Sequence, residues 1–159
     1  MPEVVHHVFA FDPGLATGSA WYCFTESKPA WRVGFEVMSP ARVEEWVKRK
    51  MNHREEGNLA VKEHIVSEKF ILRSGNQFTA DLTPLKIEGK IEMLGRVYWR
   101  PPSDKKQVPD DLLKEKGLWV EADDSGWEDA RDINDAQVHA LGYIAFDLGH
   151  RPTLKEYFS

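Results

Sequence analysis

The chain has 159 residues, 30% of them charged and 42% hydrophobic, with one cysteine and a formal net charge of -5. That length fits one domain over residues 1–159 with room for a real core. The lone Cys23 excludes an internal disulfide and, with no charged-then-apolar leader before the first strand, points to the reducing cytoplasm, while no apolar run approaches the length that spans a membrane.

Residues 4–11, VVHHVFAF, read as a buried strand, because their apolar content exceeds simple alternation. Asp12 closes that strand, with Pro13 and Gly14 directly after it. A charge at the end of a buried strand has to be solvated, paired or bound to a metal. Asp-Pro-Gly is also ordinary turn chemistry, so the role of Asp12 depends on partner carboxylates downstream. After a turn carrying Gly14 and Gly18, SAWYCF returns as a second strand, and WRVGFEV alternates at period two as a third, half-exposed antiparallel strand. Ser39 and Pro40 signal a helix start, and Val43, Trp46, Val47 and Met51 fall on one face of that helix. In NLAVKEHIVSEKF the β-branched pair Ile65-Val66 favours a short buried strand ending close to Glu68. Beyond the polar stretch LRSGNQFTADL, Thr83 and Pro84 begin a second helix, with Leu85, Ile87, Ile91 and Leu94 at helical spacing until Gly95. RVYWR is a strand stopped by Pro101-Pro102, and the segment to Leu118 is a polar loop with a short helix. DINDAQVHALGYIAFDLGH is a helix, with Val138, Leu141, Ile144, Ala145 and Leu148 on its apolar side and Gly149 and Pro152 as stop signals. The tryptophans are assigned mostly to the core. A three-strand meander followed by alternating helix and strand predicts an α/β protein, a mixed sheet with helices on its faces.

Charge placement says more than the sum. Residues 84–118 carry eight Lys/Arg against six Asp/Glu, whereas residues 119–135 carry seven Asp/Glu against one Arg. Asp132 and Asp135 share one helix face near its positive end, and Ala136 and Gly142 let that side approach a sheet closely. A DxxDA at a helix start is more often capping chemistry than catalysis. If the strands ending in Asp12 and Glu68 are neighbours and this helix packs across them, however, four carboxylates meet at one point. Mg²⁺ and Mn²⁺ favour such hard oxygen ligands, and a pair of ions roughly 3.5–4 Å apart can activate water and stabilise the leaving oxygen of a phosphodiester.

The motifs FDPGLATG, VSEKF, TPLKIEGKIEMLG, PPSDKKQV and DINDAQVHALGY, taken together, resemble the RuvC-type Holliday junction resolvases of the ribonuclease H-like superfamily over close to the full chain. The resemblance implies a ribonuclease H-like α/β fold, with a mixed five-stranded sheet whose first three strands are antiparallel. It implies that Asp12, Glu68, Asp132 and Asp135 are the catalytic, metal-binding set for two Mg²⁺ (or Mn²⁺) ions per site. It further implies a homodimer that makes paired symmetric nicks in four-way junction DNA, leaving 5′-phosphate and 3′-hydroxyl ends. A shorter turn after DPG and a differently composed loop after Glu68 suit a phage-encoded or otherwise divergent branch. Candidate DNA contacts are Lys105 and Lys106 at the phosphate backbone, Arg73, Lys86 and Lys90 bordering the same region, and Phe78 stacking on an unpaired base; a solvated lysine pair and a core aromatic are the bland alternatives. Phe70 reads as a core aromatic. His139, one turn beyond Asp135, reads as a packed histidine, with support of a metal ligand as the sharper alternative. Competing functions are a flap, replication-fork or structured-RNA nuclease of the same fold and a non-catalytic nucleic-acid-binding module. An actin-like kinase or ATPase domain is excluded by size.

Overall fold

A computed structural model of the chain describes residues 3–52, 60–71, 82–126 and 130–159. Strands β1 (Val5–Asp12), β2 (Thr17–Phe24) and β3 (Trp31–Met38) form an antiparallel meander. On the other side of β1, β4 (Val61–Glu68) pairs in parallel, and β5 (Val97–Arg100) pairs in parallel with β4. The sheet order is β3-β2-β1-β4-β5, the mixed five-stranded sheet with an antiparallel first half that was expected.

Helices cover both faces. Because side chains alternate along a strand, Phe9, Phe11 and Ile65 pack with Val43 and Val47 of α1 (Pro40–Asn52) and Ile87 and Ile91 of α2 (Thr83–Glu92). Val8, Ala10 and Val66 point the other way, into a cluster with Ala136, Val138, Ala140 and Leu141 of α5 (Arg131–Gly142). A strand roofed on both faces has no polar side, so β1 reads as a continuous apolar run. Asp12 and Glu68 continue the series of Ala10 and Val66, and this alternation turns both toward α5.

Ser39 is a true cap of α1, its Oγ accepting from the backbone N of Arg42 at 3.2 Å. Several assigned core positions are corrected. Met51 and Leu85, on the expected apolar faces of α1 and α2, are 43% and 49% exposed, and Leu148 is 43% exposed. None of the five described tryptophans is fully buried: Trp21 and Trp31 are exposed, and Trp46, Trp99 and Trp119 are half-buried. Phe70 is half-buried too, and its backbone N donates to the buried carboxylate of Glu88.

After β5 come a 3-10 helix (Pro102–Gln107) and two short helices, α3 (Asp110–Glu115) and α4 (Ala122–Ser125). Asn134 and Gln137 of α5 fasten the segment between these last two: the Asn134 side chain exchanges two bonds with the Val120 backbone, both 3.0 Å, and Gln137 Nε2 donates to the Leu118 carbonyl at 2.8 Å. Beyond α5 the chain widens into a π-helical turn (Tyr143–Asp147), reverses at Gly149 with φ of +63°, and starts α6 (Arg151–Phe158). Pro152 therefore opens a helix where a stop was expected, because its missing N–H has no partner to lose in a first turn. Among the described residues no helix is long and apolar enough to cross a membrane.

Candidate active site

Asp12 is the last residue of β1 and Glu68 the last of β4. Parallel pairing sets Phe11 opposite Ser67, so the two carboxylates leave neighbouring strands at the same end. The start of α5 lies across that end, and Gly18 explains how it comes so close. Gly18 pairs with Asp12 in the β1–β2 register, and a Cβ built on it would stand 2.0 Å from the carbonyl carbon and oxygen of Asp132 and 2.5 Å from the Ile133 nitrogen. The helix backbone rests directly on β2 there, which no side-chain-bearing residue permits.

Oxygens of Asp12, Glu68 and Asp135 consequently lie within 4.8 Å of one another. Asp132 joins through a side-chain hydrogen bond with Asp12, a contact that requires a proton on one of the two carboxyls. Burial, reinforced by the charges of Glu68, Asp135 and Asp132, pushes the Asp12 carboxyl up to about 9. Burial also raises Asp135, against the pull of Lys105. The Lys105 ammonium stands 3.3 Å from Asp135 Oδ2 and 3.7 Å from Glu68 Oε1. Burial alone would lower its pKa, but Asp135 and Glu68 carry it above the ordinary lysine value. Crowded, partly desolvated carboxylates are a poor arrangement of bare anions and a good set of hard donors, and they fit a divalent ion such as Mg²⁺ or Mn²⁺.

Two further groups reach this cluster. His139 is fully buried, with Nε2 2.9 Å from Glu68 Oε2. Its Nδ1 lies 3.1 Å from a terminal nitrogen of Arg100, itself fully buried at the end of β5. Gly142 admits that guanidinium: a Cβ there would meet its terminal nitrogens at 2.6 and 2.7 Å. The close approach expected of Gly142 is thus made by Arg100 and not by the sheet backbone. Sequence reasoning missed Arg100, although a signal was present, since VYWR is another strand closed by a charge, and Arg100 is its one buried residue.

Of the basic candidates, Lys106 is exposed on the 3-10 helix that carries Lys105. Lys86 is exposed on α2, and Lys90 donates to Glu44 of α1 at 3.3 Å, in the layer opposite α5. Arg73 and Phe78 lie outside the described residues. Beside the carboxylates opens a cleft of ≈ 510 Å³, bounded by Lys105, Trp119, Arg131, Asn134 and Asp135 among others.

This strand order, with helices on both faces and the last long helix laid across the ends of β1 and β4, is the ribonuclease H-like fold of the RuvC-type resolvases. Among solved structures the chain is similar to Thermus thermophilus RuvC in complex with a Holliday junction substrate, with a TM-score of 0.59 and 17% identity over 93% of this chain and 97% of that one. A second T. thermophilus RuvC structure gives 0.55 and 18% over 92% and 98%. The yeast mitochondrial Holliday junction resolvase Ydc2 gives 0.54 and 15% over 100% and 87%. No protein-family model matches the chain, and no curated protein matches it in sequence.

Proposed function

We propose that the chain is a single-domain, metal-dependent endonuclease of the cytoplasm that cleaves branched DNA, resolving four-way junctions as a homodimer by paired symmetric nicks. The observation that carries this is the convergence of Asp12, Glu68 and Asp135 within 4.8 Å, with a lysine ammonium beside them. Asp12, Glu68, Asp132 and Asp135 would hold two Mg²⁺ or Mn²⁺ ions. When bound, such ions supply an activated water and stabilise the leaving oxygen. The protein contributes the rest. Asp12, at the end of β1, stands close to both Glu68 and Asp135. Lys105 presents an ammonium where phosphate oxygens must arrive, and Lys106, Arg73, Lys86 and Lys90 contact the backbone further out. Phe78 stacks on an unpaired base. A junction substrate is supported by the fold shared with a RuvC bound to one, and a homodimer by the need for two sites to cut two symmetric strands.

The test offers wild type and Asp12→Asn a four-way junction, a flap, a fork, a structured RNA and linear duplex, in Mg²⁺, Mn²⁺ or excess chelator. Expected are matched nicks with 5′-phosphate ends in opposing strands of the junction, an untouched linear duplex, and an Asp12→Asn protein that binds the junction without cutting it. Cleavage in chelator, or by Asp12→Asn, overturns the metal mechanism. Preference for the flap, fork or RNA changes the substrate, and binding without cleavage by wild type identifies a non-catalytic module.

A further inference from the structure

We propose that Arg100 and His139 form a positioning relay for Glu68, in which the buried guanidinium fixes the tautomer of the imidazole and the imidazole fixes the rotation of the carboxylate. The proposal rests on the metal-site reading above. A guanidinium only donates and does not lose its proton in proteins. The His139 nitrogen facing it at 3.1 Å, Nδ1, must therefore be the acceptor. The ring hydrogen then sits on Nε2 and points at Glu68 Oε2, 2.9 Å away. With Oε2 held, Oε1 is the oxygen turned toward Lys105, 3.7 Å off. A buried histidine beside three carboxylates would ordinarily be read as a metal ligand. This tautomer excludes that role, because one ring nitrogen accepts from Arg100 and the other carries a proton.

Arg100 is itself over-determined. Its Nε donates to Asp147 Oδ2 at 2.8 Å, one terminal nitrogen to Gln107 Oε1, and the other to His139 Nδ1 and, at 3.4 Å, to the His139 carbonyl. Asp104 Oδ2 stands 3.6 Å away, so two carboxylates balance a fully buried charge. Asp147 ends the π-helical turn that follows Gly142, and the wider turn brings it back to the side on which Gly142 admits the guanidinium. Gln107 and Asp104 belong to the 3-10 helix that presents Lys105. One buried arginine thus anchors both the histidine that orients Glu68 and the element that delivers the lysine. A partner bonded behind a metal-binding side chain fixes its orientation, and loss of such a partner typically weakens metal binding 10–100-fold.

The experiment titrates Mn²⁺ into wild type, His139→Leu, His139→Gln, Gly142→Ala and Asp12→Asn by calorimetry without DNA, with denaturant unfolding of each protein alongside. Gln can donate to Glu68 and accept from Arg100; Leu can do neither. Gly142→Ala displaces the guanidinium and leaves His139 and every carboxylate in the sequence. Expected is a loss of Mn²⁺ affinity of about tenfold or more for His139→Leu, its recovery to within about threefold of wild type in His139→Gln, and a loss in the same direction for Gly142→Ala. A merely structural role predicts lower stability with unchanged Mn²⁺ affinity in the folded fraction, and that result overturns the relay, as does a His139→Gln no better than His139→Leu. If His139→Leu does not fold, Gly142→Ala decides: Mn²⁺ affinity equal to wild type overturns the proposal. Should Asp12→Asn also bind Mn²⁺ as wild type does, the metal site is misplaced, a failure distinct from that of the relay.

Discussion

Asp12 holds its proton far above the ordinary carboxyl range, up to about 9, because it is buried among other acids. The sign of the consequence follows by linkage. A group whose folded pKa is raised stabilises the fold below its unfolded pKa, and that contribution is lost as pH rises through the folded value. Metal-free protein should therefore lose thermal stability between about pH 4 and 9, and saturating Mn²⁺ should flatten that slope, both readable from Tm in chelator and in Mn²⁺. Asp12→Asn removes the titrating group. In chelator at pH 8 it should be more stable than wild type by about 1–2 kcal/mol in denaturant unfolding, while junction cleavage falls about 10³-fold or more. Lys105 behaves oppositely. Its ammonium shares Asp135 and Glu68 with any metal, so Lys105→Ala should cut cleavage about 10²-fold while calorimetry shows Mn²⁺ affinity held or increased.

At the scale of the element, the junction of β2 with α5 decides whether the site exists. Alanine at Gly18 places a methyl 2.0 Å from the Asp132 backbone, and neither partner has a rotamer through which to yield. The start of α5 must lift, so Gly18→Ala should cost about 3 kcal/mol in chemical unfolding. It should also reduce cleavage by more than the loss of folded protein accounts for, because Asp132 and Asp135 move away from Asp12 in the protein that remains folded. Element boundaries were largely legible beforehand: Ser39 caps α1, β4 ends at Glu68, and α2 begins at Thr83. These are local signals, in which a side chain bonds its own backbone or a charge ends an apolar run. Gly18 read as a turn glycine and Pro152 as a stop, because what each accommodates, a helix crossing a strand and a last helix folded back on Ala30, is distant in sequence.

At the scale of the whole molecule, two symmetric nicks require two sites. Light scattering should give about twice the 18.3 kDa chain mass, and a value of one chain, with and without junction DNA, would point to a monomeric flap or fork nuclease. What the sequence determined by itself was the sheet with its antiparallel first half, the acids that close β1 and β4, and the pair opening α5. Hydrophobic alternation, turn residues and a charge beside an apolar strand are properties of neighbouring residues, and a linear chain displays them. Tertiary structure alone decided which carboxylates converge, that the Lys105 ammonium faces them, and that Arg100 and His139 stand behind Glu68. Such contacts join residues 30 or more positions apart, and a buried guanidinium is recognisable only once the groups that balance its charge are placed around it.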